Sequence, residues 1–205
     1  SQQATFDFQQ QFKNGNFGIS VYYNRLTADV NTSYQWEGTT MNFPIKQCIL
    51  GTELLADILI AKQFKWKIAV AVFSNKEKMK DIEYNSTKDI SPIIKTDLQY
   101  SFKALKTVCN IAFTYRKGKR YSPIVSSYIQ NGARFPIFGD KNSMQLPYYS
   151  KIDLNIYRIF PLKKGNFIVY TTLANILNTK NISKEIYDER YTPSYRYYNG
   201  RMLYL

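Results

Sequence analysis

Ala4-Thr5-Phe6-Asp7-Phe8-Gln9-Gln10-Gln11-Phe12-Lys13-Asn14-Gly15-Asn16-Phe17-Gly18-Ile19-Ser20-Val21-Tyr22-Tyr23-Asn24 is the stretch whose pattern repeats along the chain. Phe6, Phe8 and Phe12 share one parity, and Thr5, Asp7, Gln9 and Gln11 share the other. This is the period of a strand with one apolar face. Asn14-Gly15 falls between two alternating runs, a strong short-range hairpin signal because both residues tolerate positive φ. Phe17, Ile19, Val21 and Tyr23 then continue opposite Gly18, Ser20, Tyr22 and Asn24. The expectation is a pair of long antiparallel strands joined by a tight turn.

Beyond Asp29 the alternation gives way to a polar loop that carries Tyr34 and Trp36. Residues 46–61 place Leu50, Thr52, Leu54, Ala56, Ile58 and Ile60 on one parity. Leu54, Leu55, Ile58 and Leu59 also lie at helical spacing behind a Thr52 cap, so the segment alone fits either element. A turn near Gln63-Phe64-Lys65, followed by Trp66, Ile68, Val70 and Val72 alternating with Lys67, Ala69 and Ala71, favours a strand. After a second polar loop at 75–91, Ile94 to Phe102 and Cys109 to Tyr115 form the next pair, turning near Leu105-Lys106. A third long segment, 119–146, leads to the pair around Ile152–Ile156 and Phe167–Leu173, which turns at Lys163-Lys164-Gly165-Asn166. A fourth loop, 178–190, precedes a last strand that ends at Leu203 and Leu205.

The connections therefore alternate short and long. The short ones hold about two to five residues and the long ones roughly fifteen to thirty, against a usual median of about 4–6. Short turns at one end and long loops at the other are the pattern of an outer-membrane barrel. Aromatic residues flank the short turns: Phe12 and Phe17, Phe64 and Trp66, Phe102, then Phe160 and Phe167. Rings at one common level read as an interfacial girdle. Asp7, Glu53, Asp57, Asp97 and Asp153 alternate with apolar residues and are expected on the polar face.

Composition removes several function classes. The chain of 205 residues has no histidine, which excludes Ser-His-Asp hydrolases and His-ligated zinc or haem. Cys48 and Cys109 read as small apolar residues; whether they pair depends on strand register. The net charge of +13 is scattered, with no basic block, and Arg116, Lys117, Lys119 and Arg120 read as a solvated strand end. No nucleic-acid partner, cofactor or metal is expected. No paired carboxylates point to a catalytic acid and base, so the chain is not read as an enzyme.

Three segments carry a family resemblance. Leu146-Pro147-Tyr148-Tyr149-Ser150-Lys151-Ile152-Asp153-Leu154 has a Leu-Pro-x-Tyr start followed by a basic-x-Asp-Leu strand. Leu173-Ala174-Asn175-Ile176-Leu177-Asn178-Thr179-Lys180-Asn181 spaces three asparagines around apolar pairs, and Gly200-Arg201-Met202-Leu203-Tyr204-Leu205 looks like the start of a closing strand. In this order they resemble the C-terminal part of TonB-dependent outer-membrane receptors of the Bacteroidota type. Gly51-Thr52-Glu53 fits a weaker internal pattern. The specific motifs lie in the last third of the chain.

The resemblance implies an all-β, antiparallel up-and-down transmembrane β-barrel portion: about nine meandering strands with short periplasmic turns and long extracellular loops, out of about 22 in the whole barrel. Residues 1–205 read as the C-terminal part of the barrel, without the plug domain. Implied, too, are a bacterial outer-membrane location and import of a scarce solute such as an iron chelate, cobalamin, a glycan or a peptide. The implied partners are outer-membrane lipid, the TonB complex through the missing N-terminal part, a surface lipoprotein and the solute itself. Loop aromatics and arginines suit stacking and anion contacts, which makes Tyr34, Trp36, Tyr128, Arg134, Phe135, Tyr187 and Arg190 the candidate ligand-binding residues. A soluble β-sandwich module that binds glycans or mediates adhesion is the alternative; it requires the alternating apolar face to be packed in a core.

Overall fold

Period-two alternation gives every long strand two unlike faces, and the pairing register decides whether like faces align. The computed structural model describes residues 1–28 and 45–205 and, between them, two short strands. In chain order the strands are β1 (Gln2–Phe12), β2 (Gly15–Ala28), β3 (Tyr34–Trp36), β4 (Thr39–Met41), β5 (Ile45–Ala61), β6 (Phe64–Met79), β7 (Ile82–Asn85), β8 (Ile93–Phe102) and β9 (Thr107–Arg116). They continue as β10 (Arg120–Tyr121), β11 (Ile124–Gln130), β12 (Ala133–Phe138), β13 (Met144–Gln145), β14 (Tyr149–Leu162), β15 (Gly165–Ala174), β16 (Ile182–Tyr187), β17 (Pro193–Tyr197) and β18 (Met202–Tyr204). The described residues contain no helix, so 46–61 resolves as the strand β5.

Nine strands form an antiparallel meander in the order β1-β2-β5-β6-β8-β9-β14-β15-β18, and β7 pairs with β6 beside it. The sheet is open: β1 and β18 are its edges, and no pairing closes it into a barrel among the described residues. Lys13-Asn14, Lys62-Gln63, the four residues from Lys103 to Lys106, and Lys163-Lys164 make the short turns, all at one end. At the other end the long connections carry β3–β4, β7, β10–β13, β11–β12 and β16–β17. Here the structure departs from the polar loops expected. β6 runs on to Met79 and turns back into β7, and β11–β12 is a full hairpin.

The first turn forms for a different reason than Asn-Gly conformational freedom. Neither Asn14 nor Gly15 has a positive φ. A Cβ on Gly15 would lie 2.2 Å from the Asp57 carbonyl oxygen, so the glycine allows β2 to approach β5.

Register aligns the faces across all nine strands. Phe8 pairs with Ile19, Ile19 with Leu54, Leu54 with Val70, Val70 with Ile94, Ile94 with Tyr115, Ile111 with Leu154 and Leu154 with Leu173. No Asp or Glu of the nine meander strands falls on this apolar face. The opposite face carries Asp7, Glu53, Asp57, Asp97 and Asp153, as the alternation predicts.

No second layer covers the apolar face. Phe6 is 69% exposed, Leu50 56% and Leu203 60%. Tyr84 and Leu146 are the only buried large hydrophobic side chains among the described residues, and both sit in the long connections. The packed core that a sandwich requires is therefore not formed by this sheet. Cys48 and Cys109 are free, on β5 and β9, with β6 and β8 between them. Adjacent strands lie about 4.8 Å apart, so three strand spacings put the two thiols far outside bridging range.

Candidate functional site

Three features offer themselves as working parts: the polar face, the packed end of the long connections and the candidate aromatic and basic side chains above it. The polar face mixes both signs of charge at close range. Lys65 pairs with Asp57 at 2.9 Å, Lys151 with Asp153 at 2.5 Å, and Asn110 donates to Asp97 Oδ1 at 2.5 Å. Ala69 and Ala112 are small enough to leave a depression of about 470 Å³ there, lined also by Leu55, Asp57, Lys67, Lys95, Asp97 and Thr114. Among the described residues no cluster of three or more Cys, Asp or Glu side chains is arranged to hold a metal.

The long-connection end holds most of what is buried. Asn75, Ser86, Ser91 and Asn142 are buried polar groups, and each is satisfied. Gln47 Nε2 donates to Asn75 Oδ1 at 2.9 Å, Ser86 N donates to the Asn75 carbonyl at 2.8 Å, and Phe73 N donates to Ser91 Oγ at 2.8 Å. Asn142 Nδ2 reaches the Asn85 carbonyl at 2.8 Å and Arg120 Nε meets Asp89 Oδ2 at 3.4 Å, which ties 117–146 to the end of β7 and the β7–β8 connection. Lys141 Nζ donates to Tyr84 OH at 2.8 Å and lies over its ring. A fully satisfied buried network of this kind holds one arrangement, because any broken member leaves an unpaired polar group. The loop end is thus a built platform.

The asparagine motif at 173–181 is part of this scaffold. Asn175 and Asn178 have positive φ, 50° and 54°, a region that Asn tolerates better than most residues. The Asn175 side chain closes a local turn with Thr179 through two bonds of 3.0 Å, while its N–H donates to Asp153 Oδ1 at 2.8 Å. Asn181 clamps the Ser150 backbone, accepting from its N–H at 2.9 Å and donating to its carbonyl at 2.7 Å. Asn178 Oδ1 accepts from the N–H of Arg201 at 3.0 Å. Each asparagine therefore fixes a strand end. Two members of the Arg116–Arg120 patch, read from the sequence as a solvated strand end, are instead engaged: the Arg116 guanidinium lies 4.5 Å from the Tyr149 ring centroid and donates to Tyr198 OH at 3.2 Å, and Arg120 pairs with Asp89.

Four of the candidate ligand residues come together above the platform. Tyr128 and Phe135 face each other across β11–β12 with their rings stacked at 5.5 Å. Arg134 Nη1 donates to Ser127 Oγ at 3.1 Å, and its carbonyl accepts from Tyr191 OH at 3.0 Å, which joins this hairpin to the turn after β16. Tyr187 OH donates to Glu185 Oε2 and accepts from Ile124 N at 3.2 Å. Burial, and then the Glu185 hydrogen bond, raise the Tyr187 phenol above its ordinary value; burial and Glu185 do the same for Tyr121. Tyr187 is thus a pin between the two hairpins more than a free contact group.

Arg190 is exposed in the 188–192 turn, where its N–H caps Asp188 Oδ1 at 2.9 Å. Tyr34 and Trp36 fall on β3, and their side chains lie outside the described residues. Sequence reasoning missed the Asn75–Ser86–Asn142 platform, whose partners come from segments up to 57 residues apart. No protein-family model matches the chain, and no curated protein or solved structure is significantly similar to it.

Proposed function

We propose that this chain forms part of the wall of an outer-membrane β-barrel receptor of the TonB-dependent kind, which imports a scarce solute. One observation carries the reading: nine strands in register present a continuous apolar face that no other element covers, backed by a face of carboxylates, lysines and amides. A soluble fold needs that arrangement inverted, whereas a lipid-embedded wall needs it as it stands. The lengths agree with a spanning role. A tilted transmembrane strand needs about 9–11 residues, and β1, β2, β5, β6, β8, β9, β14 and β15 each have at least ten.

Two girdles support the same orientation. At the short-turn end Phe12, Phe17, Phe64, Trp66, Tyr100, Phe102, Phe160 and Phe167 all lie on the apolar face. At the other end Tyr23 and Tyr115 do, with Tyr148 stacked on Tyr115 at 5.4 Å. In this reading the short turns are periplasmic and the platform is extracellular. The solute is captured by the Tyr128–Phe135 stack and the guanidiniums of Arg134 and Arg190, and it passes along the polar face. The plug, the segment coupled to the TonB complex and any surface lipoprotein belong to other parts of the assembly.

Spin labels placed singly at 68–72 on β6, with Cys48 and Cys109 replaced by serine, test the reading in the complete barrel reconstituted in lipid vesicles. Even positions should be accessible to oxygen and shielded from a water-soluble nickel chelate, and odd positions the reverse. Even positions shielded from both reagents would mean a packed protein core and would favour the soluble binding module.

A further inference from the structure

The turn end carries a charge pattern that membrane spanning alone does not require. Every short turn contains lysine and none contains a carboxylate: Lys13, Lys62, Lys103, Lys106, Lys163 and Lys164. None of these six ammonium groups takes part in an ion pair among the described residues. One cation goes further. Arg158 lies on the apolar face itself, opposite Thr107 on β9 and Val169 on β15, with its guanidinium 4.8 Å from the Phe160 ring centroid. It is exposed and makes no ion pair among the described residues. Ile159 N donates to the Lys106 carbonyl at 3.0 Å, so Lys106 sits at the same level on the neighbouring turn.

An arginine on a lipid-facing surface is costly unless its head reaches the interface and meets an anion. Phe160 holds the guanidinium at the level of the aromatic girdle, where phospholipid phosphates lie. A planar fork beside an ammonium suits a phosphate diester. We infer that Arg158 and Lys106 form a binding site for the headgroup phosphate of an anionic phospholipid in the leaflet that meets the short turns. The remaining turn lysines extend the attraction along the rim. This inference rests on the membrane-wall reading above.

Native mass spectrometry of the complete barrel that includes this chain, released from vesicles of phosphatidylcholine mixed with phosphatidylglycerol, tests it; the whole barrel is needed because an open sheet with unpaired edges β1 and β18 does not enter a bilayer alone. The parent should retain phosphatidylglycerol in preference to phosphatidylcholine. Arg158→Gln with Lys106→Gln should weaken retention about 25-fold, at about fivefold for each basic charge near an anionic surface. Arg158→Lys should fall between the two, since it keeps the charge but loses the fork. Lys119→Gln with Lys180→Gln, at the opposite end, should leave retention unchanged. Equal retention by parent and double variant, no preference for the anionic lipid, or displacement by excess inorganic phosphate would overturn the inference. A parent that inserts into pure phosphatidylcholine but shows no preference refutes only the lipid site; a parent that fails to insert at all refutes the membrane-wall reading and the site with it.

Discussion

Val70 and Ala71 are chain neighbours on opposite faces of β6, and the membrane-wall reading assigns them opposite sensitivities. Val70 pairs with Leu54 and Ile94 on the apolar face, while Ala71 pairs with Glu53 and Ile93 on the polar one. On β6 the apolar face runs without charge from the girdle residue Trp66 to Lys76. Ten residues at about 3.3 Å each, tilted by about 40°, project to roughly 25 Å, the height of an outer-membrane apolar band. Val70 lies four residues from Trp66, about 10 Å above the girdle on the same reckoning, and so near mid-depth.

Lysine on the lipid face at mid-depth costs about 2–4 kcal/mol. Val70→Lys should therefore destabilise the folded chain by about 3 kcal/mol. Ala71→Lys places its ammonium opposite the Glu53 carboxylate on the wetted face and should change stability by no more than about 0.5 kcal/mol. The assay is urea unfolding of the complete barrel in phosphatidylcholine vesicles, followed by tryptophan fluorescence. Equal costs at the two positions, or a larger cost at Ala71, would refute the assignment of faces to lipid and water.

Other consequences are local to the packed end. Asn181→Leu removes both clamps on the Ser150 backbone and leaves a half-buried N–H and carbonyl unpaired, for a loss of about 1–3 kcal/mol; hydrogen exchange at the Ser150 amide should accelerate while that of mid-strand β14 does not. Tyr187→Phe removes the hydroxyl that joins β16 to Ile124 and should cost about 1–2 kcal/mol, read as faster exchange at the Ile124 amide. The N–H of Thr192, then that of Arg190, hold the Asp188 carboxyl below the usual carboxylate range. Its folded value is thus depressed, so the turn is supported above the unfolded value and loosens as pH falls through the folded one. A carbon-13 titration of Asp188 should give a midpoint below that of a free aspartate, and Thr192→Pro, which removes the strongest donor, should move it upward.

The strands and their order were legible because a half-buried sheet writes its faces directly into the sequence. Phe6, Phe8, Ile19, Val21, Ile68 and Val70 needed only parity to be placed. Residues 46–61 were ambiguous because Leu54, Leu55, Ile58 and Leu59 satisfy both periods. The ambiguity ends in the structure, where both edges of β5 are paired, by β2 and β6. The first hairpin was found through Asn14-Gly15, although the glycine acts through close contact with Asp57 and not through a positive φ. Asn131-Gly132 carries the same signal, and there both residues do adopt positive φ, 52° and 77°, to close β11–β12. Its flanking strands escaped notice because Ser126, Ser127, Gln130 and Pro136 interrupt the apolar alternation.

The candidate site was legible only as a set of residue types. Tyr128 and Phe135 are brought together by the register of one hairpin, a local matter that Asn131-Gly132 fixes. The joining of Arg134 to Tyr191, of Ile124 to Tyr187 and of Asn85 to Asn142 depends on long-range hydrogen bonds between polar residues without periodicity, which no pattern announces. These bonds also explain how long connections can present a surface at all. Among the described residues only Tyr84 and Leu146 are buried large apolar side chains, both in the long connections, so hydrophobic packing alone does not position the loops. Amide and hydroxyl side chains do so instead, because each satisfies a backbone group that would otherwise go unpaired. A solute that binds at Tyr128 and Arg134 therefore meets a surface whose geometry is already set, and most of the ordering entropy is lost at folding instead of at capture.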